Sequence, residues 1–124
     1  MARILVIDDD ELVGRTIARV LTRGGHEVVT ATGGAQGCAL FDAQRPDLVL
    51  SDLVMPEQSG VEVVRELRRR DPDMRIAVLT GGESFGVPLI DSLGPLKVGA
   101  ILRKPFEIAD LLGTVDALLA APAR

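Results

Sequence analysis

Apolar residues fall along this 124-residue chain in two alternating rhythms. Short, nearly continuous runs of Val, Ile, Leu and Ala alternate with longer stretches in which apolar positions recur every three or four residues. The runs at about 3–8, 27–31, 47–52, 75–80 and 100–103 read as strands. The stretch at about 10–23 reads as a helix with Leu12, Val13, Ile17, Val20 and Leu21 on one side, stopped by Gly24-Gly25. A second helix is expected at about 34–44, ending before Pro46. A third, at about 59–70, turns Val63, Val64 and Leu67 inward and Glu62, Arg65, Glu66, Arg68 and Arg69 outward. A further helical segment is expected somewhere in 86–98. Gly81, Gly82, Gly86, Pro88, Gly94 and Pro95 make that region a poor recipe for a full helix. The last helix, at about 107–120, carries Ile108, Leu111, Leu112, Val115, Leu118 and Leu119 at helical spacing.

The first, third and fourth strands lack the in–out alternation of a half-exposed sheet. Continuous apolar strands are buried on both faces, which implies a parallel sheet covered by helices. Five strand–helix units in succession give a doubly wound α/β domain with a five-stranded parallel sheet. We expect one domain over 1–120, with 121–124 as a frayed helix end or the start of a linker. In this architecture ligands bind beyond the C-terminal strand ends, where the strand order reverses.

Composition changes the picture little. Apolar residues make up 47% of the chain, enough for a folded core, and with three Phe and no Trp or Tyr that core must be aliphatic. The formal charge of −4 argues against a nucleic-acid surface. The single Cys38 cannot form an internal disulfide and suits a reducing compartment. No signal peptide or membrane span is expected, because the chain enters a strand at Arg3 and its apolar runs are short. A cytoplasmic location follows as the expectation.

The strand ends carry the chemistry. The first run ends in Asp8-Asp9-Asp10, the third in Asp52, the fourth in Thr80, and the fifth is followed by Lys104-Pro105. Two unit charges about 5 Å apart at an effective dielectric near 20 repel by roughly 3 kcal/mol. Packing does not call for such an acid cluster, but a divalent cation would relieve it.

Taken together, Ile4-Leu5-Val6-Ile7-Asp8-Asp9-Asp10, Asp47-Leu48-Val49-Leu50-Ser51-Asp52 with Met55-Pro56 and Gly60, Leu79-Thr80, and Lys104-Pro105-Phe106 resemble the receiver domain of two-component response regulators, the CheY-like family. The resemblance covers essentially the whole chain. It implies a flavodoxin-like strand order of 2-1-3-4-5. It also implies that Asp52 accepts a phosphoryl group from a phosphohistidine on a sensor histidine kinase or histidine phosphotransfer protein, with a downstream effector as a possible further partner. Asp8, Asp9, Asp52 and the Val54 backbone carbonyl would hold Mg²⁺. Thr80 and Lys104 would contact the phosphoryl oxygens, and the Lys104–Pro105 bond would be cis. Such a domain promotes its own phosphorylation and slow dephosphorylation without being an enzyme in the ordinary sense. Neither nucleic acid nor membrane is expected to bind it.

Some residues have plainer readings. Asp10 and Glu11 suit a helix N-terminus. The Arg68-Arg69-Arg70 run reads as a solvated helix C-terminus, His26 as a surface turn residue, and Cys38 as a small hydrophobe. Lys104-Pro105 also fits a proline at the first helical position. The chain departs from the family at Ile101, where an aromatic residue is usual, and at Val54 and Gly82, whose side chains cannot hold an attacking water. Two other functions compete: a pseudo-receiver that docks partners without phosphorylation, and a Mg²⁺-dependent aspartyl-phosphate hydrolase suggested by Asp8-x-Asp10. The hydrolase would need a later acidic pair and a cap insertion, which are missing here.

Overall fold

The computed structural model describes residues 2–53, 55, 59–81 and 93–120. Five strands, β1 (Arg3–Ile7), β2 (Glu27–Ala31), β3 (Leu48–Asp52), β4 (Arg75–Thr80) and β5 (Ala100–Arg103), form one sheet in the order β2-β1-β3-β4-β5. Every neighbouring pair is parallel, with Ile4 opposite Leu48 and Val49 opposite Ile76. The order reverses between β1 and β3, so the crevice of the fold opens between the tips carrying Asp8 and Asp52.

Among the described residues, four helices cover the sheet: α1 (Glu11–Arg23), α2 (Gly34–Gln44), α3 (Gly60–Arg70) and α4 (Ile108–Ala120). Alternate strand residues point to opposite faces. Leu5, Ile7, Val49, Ile76 and Val78 pack with Phe41 of α2 and Val63, Val64 and Leu67 of α3. Ile4, Val6, Leu48, Leu50, Ala77 and Leu79 pack with Ile17 and Leu21 of α1 and Leu111 and Val115 of α4. All of β1 from Ile4 to Ile7 and all apolar residues of β3 are inaccessible to solvent. The two-sided burial expected from the continuous apolar runs is therefore present.

Helix boundaries follow local chemistry. Asp10 caps α1, its side chain accepting the amides of Leu12 and Val13, and Glu11 sits in the first turn as expected. Ser59 caps α3 through the Glu62 amide. Gly60 is required by close approach: a Cβ there would collide with the Asp52 carbonyl oxygen and the Leu53 Cα. Its amide donates to the Leu53 carbonyl at 2.7 Å, drawing the start of α3 against the tip of β3.

Several details differ from the sequence pattern. Leu12 and Ile108, expected to face inward, are 72% and 60% exposed. Both lie in the first turn of their helices, beyond the ends of β1 and β5, where no sheet remains to cover them. Together with Val13, Thr16, Val20, Phe106 and neighbouring residues they line a groove between α1 and α4. Pro105 is not at the first helical position, because α4 begins three residues later. His26 is half-buried rather than a free surface residue, its Nδ1 accepting the Ala2 amide at 3.2 Å.

Arg68 is not a solvated end residue either. Its guanidinium donates to the carbonyls of Leu96 at 2.8 Å, Lys97 at 3.1 Å and Met74. Arg70 pairs with Asp42 and Glu66, and Arg69 with Glu66, so the run is laced to neighbours. Within the segment expected to hold a further helix, residues 93–98 contain a 3-10 turn at Gly94–Leu96, with Leu93 buried against α3. The remainder of that expectation lies outside the described residues. Cys38 packs against the α2–α3 core cluster, as a small hydrophobe would.

Candidate functional site

The C-terminal strand edge brings five of the expected site residues together. Asp8 follows β1 and is 1% exposed. Asp52 ends β3 at 6% and Thr80 ends β4 at 4%. Asp9 is exposed, on the rim. Lys104 follows β5 and reaches back across the edge. Val54, the remaining expected contact, lies outside the described residues, as does Gly82.

Strand register sets this convergence. Asp52 pairs with Leu79, which puts Thr80 one step further along the neighbouring strand. The Thr80 carbonyl accepts the Lys104 amide at 2.6 Å, and the Lys104–Pro105 bond is cis. The lysine stem runs beside Gly81, where an added Cβ would come within 3.3 Å of the Lys104 Cβ. The sequence pattern marks Gly81 only as a helix breaker; its place against Lys104 has no signature in the chain itself.

The side chains form one charged cluster. Lys104 Nζ lies 2.9 Å from Asp8 Oδ2 and 3.5 Å from Asp52 Oδ1. The other Asp8 oxygen, Oδ1, accepts the Asp10 amide at 2.9 Å. Asp8, Asp9 and Asp52 each offer a carboxylate oxygen, all within 4.8 Å of one another. Hard oxygen donors at this spacing suit a hard divalent cation.

Electrostatics mark Asp52 out. Burial, and after it the negative charge of Asp8, push its carboxyl up to about 7 against the attraction of Lys104. For Lys104, burial pulls downward, but the hydrogen bond to Asp8 and the charges of Asp52 and Asp8 outweigh it, so its pKa is raised. Asp52 is thus a carboxylate held in an unfavourable charge state, with a fixed ammonium beside it.

A family model for the response regulator receiver domain matches residues 4–116. The chain belongs to the response regulator receiver family. A relative named response regulator MprA, from Mycolicibacterium vanbaalenii, is 39% identical over 119 residues, covering 94% of this chain and 50% of that protein. The chain thus spans about half the length of the curated relatives it matches. A CheY-like receiver domain protein from Methanospirillum hungatei superposes with a TM-score of 0.90 at 26% identity, covering 96% of this chain and 94% of that one. A receiver domain protein from Clostridium thermocellum gives 0.84 at 32% identity, again covering 96% and 94%. The flavodoxin-like strand order and the membership in two-component signalling expected from the motifs are both borne out. Among the described residues no helix is long and apolar enough to cross a membrane.

Proposed function

We propose that this receiver domain accepts a phosphoryl group on Asp52 from the phosphohistidine of a sensor histidine kinase or histidine phosphotransfer protein. An Asp52 carboxylate oxygen bonds to phosphorus as the phosphorus–nitrogen bond of the donor breaks. The donor imidazole leaves with the electron pair. The observation that carries this reading is the surroundings of Asp52: buried, with Lys104 Nζ 3.5 Å from Oδ1 and the oxygens of Asp8 and Asp9 in the same cluster.

Phosphoryl transfer is mainly a matter of positioning and charge stabilisation, so no general base is needed. The Lys104 ammonium contacts one phosphoryl oxygen and the Thr80 hydroxyl donates to another. The backbone bond between Thr80 and Lys104 holds these two groups in step. Asp8, Asp9 and Asp52 would hold Mg²⁺, with the Val54 carbonyl as a further contact; when bound, it supplies positive charge against the carboxylates and the phosphoryl oxygens. The product stays on the protein, so the domain acts as a cytoplasmic signalling element and returns to rest by slow hydrolysis. A downstream effector would read the phosphorylated form.

Intact-mass measurement with acetyl phosphate tests this. The wild type should gain one phosphoryl group in the presence of Mg²⁺ and none in EDTA, and Asp52→Asn should gain none. Equal labelling of wild type and Asp52→Asn would refute the assignment.

A further inference from the structure

Three large apolar side chains are exposed among the described residues, and two of them, Leu12 and Ile108, flank one groove of about 240 Å³ between α1 and α4. Both helices start at the C-terminal edge of the sheet and pack on the same face of it, so they run side by side in one direction. Each presents an exposed outward stripe at helical spacing. On α1 the stripe is Leu12, Thr16, Arg19 and Arg23, bulky and cationic. On α4 it is Ala109, Gly113, Asp116 and Ala120, small and anionic. Arg15, beside the first stripe, is paired with Glu11, but Arg19, Arg23 and Asp116 have no salt bridge among the described residues. A Cβ built at Gly113 meets nothing within 4 Å, so the middle of the α4 stripe is open.

We propose that this face docks a second copy of the chain, α1 of one copy lying on α4 of the other, about a two-fold axis parallel to the helices. Neither stripe matches itself. Two α1 stripes would set arginine against arginine, and two α4 stripes would leave Leu12 uncovered. Each stripe matches the other, and a two-fold axis makes that contact twice. The spacing agrees. At 1.5 Å per residue, Arg19 and Arg23 stand about 10 Å and 16 Å beyond Leu12, and Asp116 stands about 12 Å beyond Ile108. With Leu12 of one copy over Ile108 of the other, Asp116 falls between the two arginines. The small Ala109 and Gly113 leave room for the Leu12 and Thr16 of the second copy. Covering the apolar groove supplies the affinity, and the charges fix direction and register.

The test is sedimentation equilibrium of the full chain at concentrations up to about 500 µM. The wild type should dimerise within that range, and more weakly as salt is added. Gly113→Arg puts a long cation into the open α4 stripe and should weaken dimerisation about tenfold or more. The variant should still fold, since its Cβ has space and arginine favours a helix more than glycine does. Arg19→Glu combined with Arg23→Glu should weaken dimerisation, and so should Asp116→Lys, because each sets like charges together. Mixed in equal amounts, these two variants should form a heterodimer, since the exchange restores opposite charges at both contacts. A wild type that stays monomeric throughout the range, leaving the groove to a helix of another protein, overturns the inference. So does a wild-type dimer that Gly113→Arg leaves intact, or a mixture of the charge variants that forms no heterodimer.

Discussion

Asp52→Asn should stabilise the cation-free protein, and the gain should depend on pH. The wild-type carboxyl rises from the ordinary 3.8 to about 7 because burial, and then Asp8, disfavour its charged form. The folded state therefore binds its proton more tightly than the unfolded state. Stability from this group is fully present below the unfolded pKa, declines as pH rises, and is lost once pH passes about 7. Moving from 3.8 to about 7 sets a ceiling of about 4 kcal/mol, at roughly 1.4 kcal/mol for each tenfold change in proton affinity. Asp52 is tightly coupled to the charges around it at this edge, which brings the expected effect to about 2 kcal/mol. The assay is urea unfolding in EDTA at several pH values between 4 and 8.5. The advantage of Asp52→Asn over the wild type should grow by about 2 kcal/mol from pH 4 to pH 8. Saturating Mg²⁺ should shrink that advantage at pH 8, because the wild-type site offers it one more carboxylate and gains more from binding. A difference independent of pH would mean that Asp52 is not held against its charge.

Further outcomes follow from individual contacts. Arg68→Met removes three charge-assisted bonds to the Met74, Leu96 and Lys97 carbonyls, and should cost about 2–4 kcal/mol. Hydrogen exchange at the Leu96 and Lys97 amides should accelerate in that variant, and unchanged protection there would contradict the mooring role. Gly60→Ala forces a Cβ into the backbone at Asp52 and Leu53, and should lower stability by about 2 kcal/mol or more in denaturant unfolding. Leu67→Ala opens a cavity under α3 and should cost about 2–5 kcal/mol in the same assay. Val54→Asn should shorten the lifetime of phosphorylated Asp52 by giving water a hydrogen-bond partner; a slower or unchanged decay of the acyl phosphate would show that water positioning is not limiting.

Much of this fold is legible in the chain because its strongest signals are local. The unbroken apolar runs of β1, β3 and β4 can be satisfied only by burial on both faces, and that places the acids, Thr80 and Lys104 at one edge. Asp10 announces itself as a cap by preceding the first helical turn. Less legible are features that depend on where elements end relative to one another. Leu12 and Ile108 keep the helical period yet overhang the sheet, since periodicity records direction and not the reach of the strands. Arg68 looks like its neighbours Arg69 and Arg70, and only the approach of residues 96–97 to α3 separates it from them. Lys104 lies closer to Asp8, at 2.9 Å, than to Asp52, at 3.5 Å, and no spacing in the chain encodes that difference.

In the proposed function Asp52, alone among the acids of this edge, carries the phosphoryl group. Borohydride reduction after treatment with acetyl phosphate and Mg²⁺ converts an acyl phosphate to the corresponding alcohol, and peptide mass spectrometry then reads the modified position directly. Homoserine is expected at Asp52, with Asp8, Asp9 and Asp10 unmodified. Homoserine at any of those three residues, with Asp52 intact, would contradict it.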